Sequence, residues 1–152
     1  MFPELITELL QDGYKVSFSA PGHSMYPTIM ANETILVEPI DPETVKQGDI
    51  ILYRTNGRLV AHRVVGINML IDNSSLSLSD FGSQSSALSP LRFFILRGDA
   101  SSTCDEPVKF DQILGKVVSV ERNGCRADPY SLVHKLGCLA HRWTSRFKTI
   151  LN

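Results

Sequence analysis

The chain has 152 residues and a formal charge of −1, from 15 Lys and Arg against 16 Asp and Glu. That length supports one domain burying about two thirds of its unfolded surface, and a second domain would be cramped. The balanced charge argues against general nucleic-acid binding, and no run approaches the roughly 18 to 20 apolar residues of a membrane-spanning helix.

In chain order, residues 3–11 read as a short helix with Leu5, Ile6, Leu9 and Leu10 on one face and Gly13 as its stop. Tyr14, Val16 and Phe18 then alternate as a strand, and further strands are expected at 34–38, 49–54, 59–71 with a break near Gly66, 91–96 and 113–121. Residues 72–90 are crowded with Ser, Asp and Gly and read as a flexible excursion. Leu132, Val133, Leu136, Leu139, Ala140, Trp143, Phe147, Ile150 and Leu151 recur at helical spacing, with Lys135, Arg142, Arg146 and Lys148 on the polar side. The pattern predicts a mainly β domain over 1–128 and an amphipathic helix over 129–152. Such a helix either packs on the core or lies against a membrane interface or an acidic partner.

Chemistry concentrates in three segments. Pro21-Gly22-His23-Ser24-Met25-Tyr26-Pro27-Thr28 presents one hydroxyl on an unusual backbone path: Gly22 permits positive φ and close approach, and Pro21 and Pro27 hold the flanks extended. A serine so placed needs a base, and His62 lies in the strand-like run Gly57-Arg58-Leu59-Val60-Ala61-His62-Arg63-Val64-Val65. Asp99 and Asp105, in the turn-rich stretch 97–107, offer carboxylates to orient an imidazole; each also fits an ordinary turn cap. A metal site from His23, His62, Cys104 and Asp105 is the competing use of these groups, but no C-x-x-C pair or H-E-x-x-H is present, and His23 is expected to face solvent.

Gly22-His23-Ser24-Met25-Tyr26-Pro27 resembles the Gly-x-Ser-Met-x-Pro box of the signal peptidase I family and its LexA-like peptidase relatives. Ala61-His62-Arg63-Val64-Val65 resembles the His-Arg-Val box of the endoplasmic-reticulum, archaeal and sporulation-type members, whose general base is His where typical bacterial enzymes have Lys. The stretch from Arg97-Gly98-Asp99-Ala100 to Asp105 resembles their Gly-Asp-Asn-Asn-x-x-Asp-Asp box, and Gly115-Lys116-Val117-Val118 resembles their closing strand. The resemblance implies coiled, mixed or antiparallel β-sheets, a Ser24 nucleophile, a His62 base and Asp105 as the triad acid with Asp99 supporting; a slipped register exchanges the two acids. It also implies an oxyanion hole, which here falls to the backbone amides of Gly22 and Ser24, because Gly22 stands where many members carry a helper serine. Met25 and Pro27 would border the substrate, and small residues such as Ala would be preferred at P1 and P3. Two departures stand out: Ala31-Asn32-Glu33 replaces the usual Gly-Asp, predicting a rebuilt turn, and no membrane anchor is visible.

The function expected is that of a serine endopeptidase acting on a peptide or precursor protein without a cofactor. The alternative is a catalytically inactive peptide- or partner-binding module on the same fold. A self-cleaving repressor is disfavoured, since about twenty residues before the serine box are too few for a helix-turn-helix domain. Cys104, Cys125 and Cys138 lack motif spacing. With no signal peptide or basic leader they suggest free thiols and a cytoplasmic location, with the C-terminal helix giving any peripheral membrane contact.

Overall fold

Alternating apolar residues build one antiparallel sheet. In the computed structural model, which describes residues 3–70, 91–122 and 124–131, a helix α1 (Pro3–Gln11) precedes strands β1 (Val16–Ala20), β2 (Glu33–Glu38), β3 (Ile50–Thr55), β4 (Arg58–Leu70), β5 (Leu91–Arg97), β6 (Val108–Lys109), β7 (Ile113–Arg122) and β8 (Cys125–Ala127). The strands lie in the order β1-β2-β7-β3-β4-β5-β6, with β8 added to β7. Every pairing among the described residues is antiparallel, so the mixed pairing allowed by the sequence is not observed there. The excursion expected at 72–90 and all but residues 129–131 of the expected C-terminal helix lie outside the described residues. Among the described residues, no helix is long and apolar enough to cross a membrane.

β3 is the central element, paired with β4 on one side and β7 on the other. Its run Ile50-Ile51-Leu52-Tyr53 is buried on both faces, which explains why it reads as continuous apolar sequence rather than as alternation. Ile50 and Leu52 join Ile35, Val37, Leu114, Val117 and Val120 in one core cluster, while Ile51 and Tyr53 join Val64, Phe94, Leu96 and Val108 in the other. β1 shows the half-buried pattern instead: Val16, Phe18 and Ala20 pack against the first cluster and Ser17 and Ser19 face outward.

Several expectations shift. In α1 the buried stripe is Ile6, Thr7 and Leu10, with Leu5 left 52% exposed; Thr7 joins it because its hydroxyl bonds back to the Pro3 carbonyl at 2.8 Å. Gly13, at φ +89°, ends the helix as foreseen, with Tyr14 N–H donating to Leu9 O and Gly13 N–H to Leu10 O. The break near Gly66 is a bulge: β4 runs on unbroken while its register with β5 shifts between Val64 and Gly66. β6 and β8, of two and three residues, are too short to leave a periodic signal.

One residue beyond 128 contacts the sheet. Tyr130 packs on the first cluster, its hydroxyl donating to Val117 O at 2.7 Å and accepting from Ile50 N–H at 3.0 Å. Burial, reinforced by the charge of Asp49, pushes this phenol up to about 12, against the partial relief given by the Ile50 bond. The protonated form is therefore favoured in the folded state, and its contribution is whole below pH 10 and lost as pH rises from 10 to 12. Tyr130→Phe is expected to cost about 1–3 kcal/mol in urea unfolding at pH 7, from the two bonds removed. Its midpoint should then decline less steeply than that of wild type between pH 10 and 12.

Candidate active site

Ser24 lies in the connection between β1 and β2, whose ends are closed by the Ala20 to Glu33 register. Asn32, at φ +65°, takes the left-handed conformation that Asn tolerates, and its N–H donates to Ala20 O at 2.6 Å. A turn thus stands at Ala31-Asn32-Glu33. Glu33 accepts from Met30 N–H at 2.8 Å and pairs with Arg122, whose Nη2 also reaches the Pro27 and Thr28 carbonyls at 3.5 and 3.4 Å. Residues 24–28 coil in successive turns, with Tyr26 N–H donating to His23 O and Ile29 N–H to Met25 O, and the Tyr26–Pro27 peptide is cis. Pro27 lies within these turns and does not hold an extended flank.

His62 is brought to this loop by the end of β5. β4 pairs with β3 from Arg58 onward, but with β5 only from Arg63, which lies opposite Arg97. After Arg97 the chain turns away at Gly98, and Ser24 occupies the space beside His62, anchored by Ala100 N–H donating to Ser24 O at 2.8 Å. A Cβ on Gly98 would lie 2.6 Å from Ser24 O and 3.1 Å from His62 Nε2, so only glycine lets the two segments meet. Gly22, singled out for such closeness, has neither positive φ nor a neighbour within 4 Å of an added Cβ. The tight approach belongs to Gly98.

The assembled groups form a chain of hydrogen bonds. Ser24 Oγ is 2.8 Å from His62 Nε2, and His62 Nδ1 is 2.5 Å from Asp105 Oδ2. An ionised carboxylate only accepts, so Nδ1 carries the proton and Nε2 is left to accept from the serine hydroxyl. His62 is 8% exposed, whereas Ser24 is open to solvent. Asp105 Oδ2 also accepts from the Tyr53 hydroxyl at 3.0 Å. Burial, then the charge of Asp105 and the bond to it, raise the Tyr53 phenol well above its ordinary range, so it stays a donor.

Asp99 is placed elsewhere. Its carboxylate receives a two-pronged bond from Arg63, Nε to Oδ1 at 2.8 Å and Nη2 to Oδ2 at 2.7 Å, and it also accepts from the Thr28 hydroxyl. Arg63 Nη1 donates to Gly48 O at 2.9 Å. Asp99 thus ties the serine loop to β4 without touching His62. Of the two acids left open by the sequence, the geometry puts Asp105 on the histidine and Asp99 on the scaffold.

Beside Ser24 opens an apolar cavity of about 230 Å³, lined by Phe18, Ala20, Gly22, Met25, Leu59 and Ala61 among others. Met25 is 4% exposed and doubles as a core residue. Pro27, expected to border a substrate, is not part of this lining and faces Arg122 instead. The Gly22 and Ser24 amides donate to no acceptor among the described residues. His23 is exposed, and among the described residues no three His, Cys, Asp or Glu side chains converge on a metal-sized site. Tyr53, Thr28, Arg122 and the spatial role of Gly98 were missed by sequence reasoning. Arg63 was visible only as the neighbour of His62.

No protein-family model matches this chain, and no curated protein matches it. The geometry itself yields two expectations. Gly98→Ala should destabilise the fold by about 1–3 kcal/mol and speed hydrogen exchange of the Ala100 amide, because the added carbon displaces the Ser24 carbonyl. Asp99→Asn should cost about 2 kcal/mol in urea unfolding, since it leaves Arg63 without its charged partner, and Asp105→Asn should cost less. An equal or reversed ranking would contradict the scaffold role of Asp99.

Proposed function

We propose that the chain is a serine endopeptidase similar to signal peptidase I, hydrolysing a bond in an extended peptide or precursor protein. The observation that carries this reading is the continuous Ser24–His62–Asp105 hydrogen-bond chain, ending in an exposed hydroxyl at the mouth of an apolar cavity. Neutral His62 accepts the Ser24 proton as Oγ bonds to the substrate carbonyl carbon, and the Gly22 and Ser24 amides receive the oxyanion. The tetrahedral intermediate collapses, the C–N bond breaks, and His62 returns the proton to the leaving amine. Water, deprotonated by His62, then attacks the acyl carbon, the ester C–O bond breaks and His62 returns the proton to Ser24 Oγ, while Asp105 stabilises each transient imidazolium.

The sheet supplies a seat for the substrate. Along Arg58–His62 the edge of β4 away from β3 has no strand partner among the described residues, and Leu59 and Ala61 on that stretch line the cavity beside Ser24. An extended peptide added there would bond through its main chain and place small apolar side chains in the cavity. Any contact of residues 129–152 with a membrane or an acidic partner remains an additional proposal, independent of this site.

The test is intact mass after exposure to a fluorophosphonate and to a signal-peptidase-directed acylating inhibitor at pH 8. One adduct is expected on wild type and none on Ser24→Ala or His62→Ala, with cleavage of Ala-x-Ala peptides falling by roughly 10⁴-fold or more in both variants. No adduct with either reagent and no peptide cleavage by wild type would overturn the peptidase reading in favour of a peptide-binding module.

A further inference from the structure

The carboxylate that completes the hydrogen-bond chain sits on a loop rather than on a strand. Asp105 lies in the loop after β5, its side chain 27% exposed, with its N–H donating to Leu96 O at 2.8 Å. Its Oδ2 receives two donors, His62 Nδ1 at 2.5 Å and the Tyr53 hydroxyl at 3.0 Å. The second donor stands on far firmer ground. Tyr53 is 2% exposed, on the strand that is paired on both sides and buried on both faces. The β3–β4 register sets Ile51 opposite His62 and Tyr53 opposite Val60, so Tyr53 and His62 are diagonal neighbours, their ring centroids 6.3 Å apart.

We propose that Tyr53 is a positioning residue for this site: its hydroxyl fixes the Asp105 carboxylate on His62 and tempers the charge of the oxygen they share. The proposal rests on the peptidase reading for its catalytic meaning, though the hydrogen-bond effect is measurable without turnover. A donor on Oδ2 draws negative charge from the atom that faces the imidazole, so Asp105 stabilises the imidazolium less than a lone carboxylate would. Removing the hydroxyl should therefore make His62 more basic, and it should also free the carboxylate to rotate. Among the described residues, His62 also meets Ser24 from the serine loop, and Glu106 lines the same cavity as His62, Asp105 and Tyr53; Arg63, next along β4, is engaged with Asp99. Tyr53→Phe changes none of these and keeps the ring in its core cluster.

The experiment uses the full chain as wild type and Tyr53→Phe, following the His62 ring resonances by NMR titration and kcat and KM on an Ala-x-Ala peptide across pH. The His62 midpoint should rise by about half a pH unit, and the acid limb of kcat/KM should move upward with it. At the optimum kcat should fall roughly tenfold, as for one lost bond to a charged acceptor, with KM unchanged. Combining Tyr53→Phe with Asp105→Asn should give no shift beyond that of Asp105→Asn alone. Should Tyr53→Phe fail to fold, 3-fluorotyrosine placed at position 53, a stronger donor, should lower the midpoint instead. A midpoint that stays put or moves the opposite way would overturn the proposal. Absence of turnover in wild type alongside the expected midpoint shift would instead overturn the peptidase reading and leave the Tyr53 interaction standing.

Discussion

The two-pronged bond between Arg63 and Asp99 is the constraint on which the site's geometry depends. Arg63 belongs to the rigid strand β4, one residue beyond His62, and Asp99 belongs to the turn that follows β5. Joining them fixes where β5 leaves the sheet, and that departure opens the edge of β4 at His62. Thr28 bonds to the same carboxylate, so the serine loop is tied to the same point. Such a pair contributes modest net stability, because desolvating its charges offsets much of their attraction. Its value lies in geometry, since the planar guanidinium admits few arrangements of its partner.

Two neighbouring acids thereby acquire different work. Asp99 is neutralised by Arg63 and acts on the scaffold. Asp105 faces one imidazole and one phenol, neither of which carries a fixed positive charge, so its negative charge remains available to an imidazolium. The separation follows from backbone placement: the stretch between them is long enough for Asp105 to return to the level of Leu96, where its N–H meets the Leu96 carbonyl. A second arginine, Arg122, braces the far side of the serine loop through Glu33. The nucleophile candidate is thus held by β4 on one side and β7 on the other, while its hydroxyl stays exposed.

Much of the sheet was legible because burial imposes a period. β1 and β2 alternate, β3 is continuously apolar, and these strands and β7 fall within a residue or two of their expected places. Gly66 marked one bulge in advance, but those at Leu36/Val37 and Leu52/Tyr53 and the two-residue strand β6 were not legible, because pairing with distant residues creates them and local pattern does not. The serine loop illustrates the same limit. Its residue types pointed to Ser24, but its conformation depends on Arg122, Asn32 and Ala100, which lie outside the motif. Gly22 and Gly98 are chemically identical in the sequence, and only the approach of Ser24 distinguishes the one that cannot carry a side chain.

The sequence by itself determined a mainly β chain, the order of its principal strands, and the short set Ser24, His62, Asp99 and Asp105 from which a site is drawn. Those features are local, set by periodicity and by what each side chain can do. The tertiary structure decided which acid meets the histidine, which glycine is sterically required, and that Tyr53 shares the oxygen of Asp105. Each of these is a contact between segments tens of residues apart. Such contacts follow from sheet register and loop closure, and residue type fixes neither.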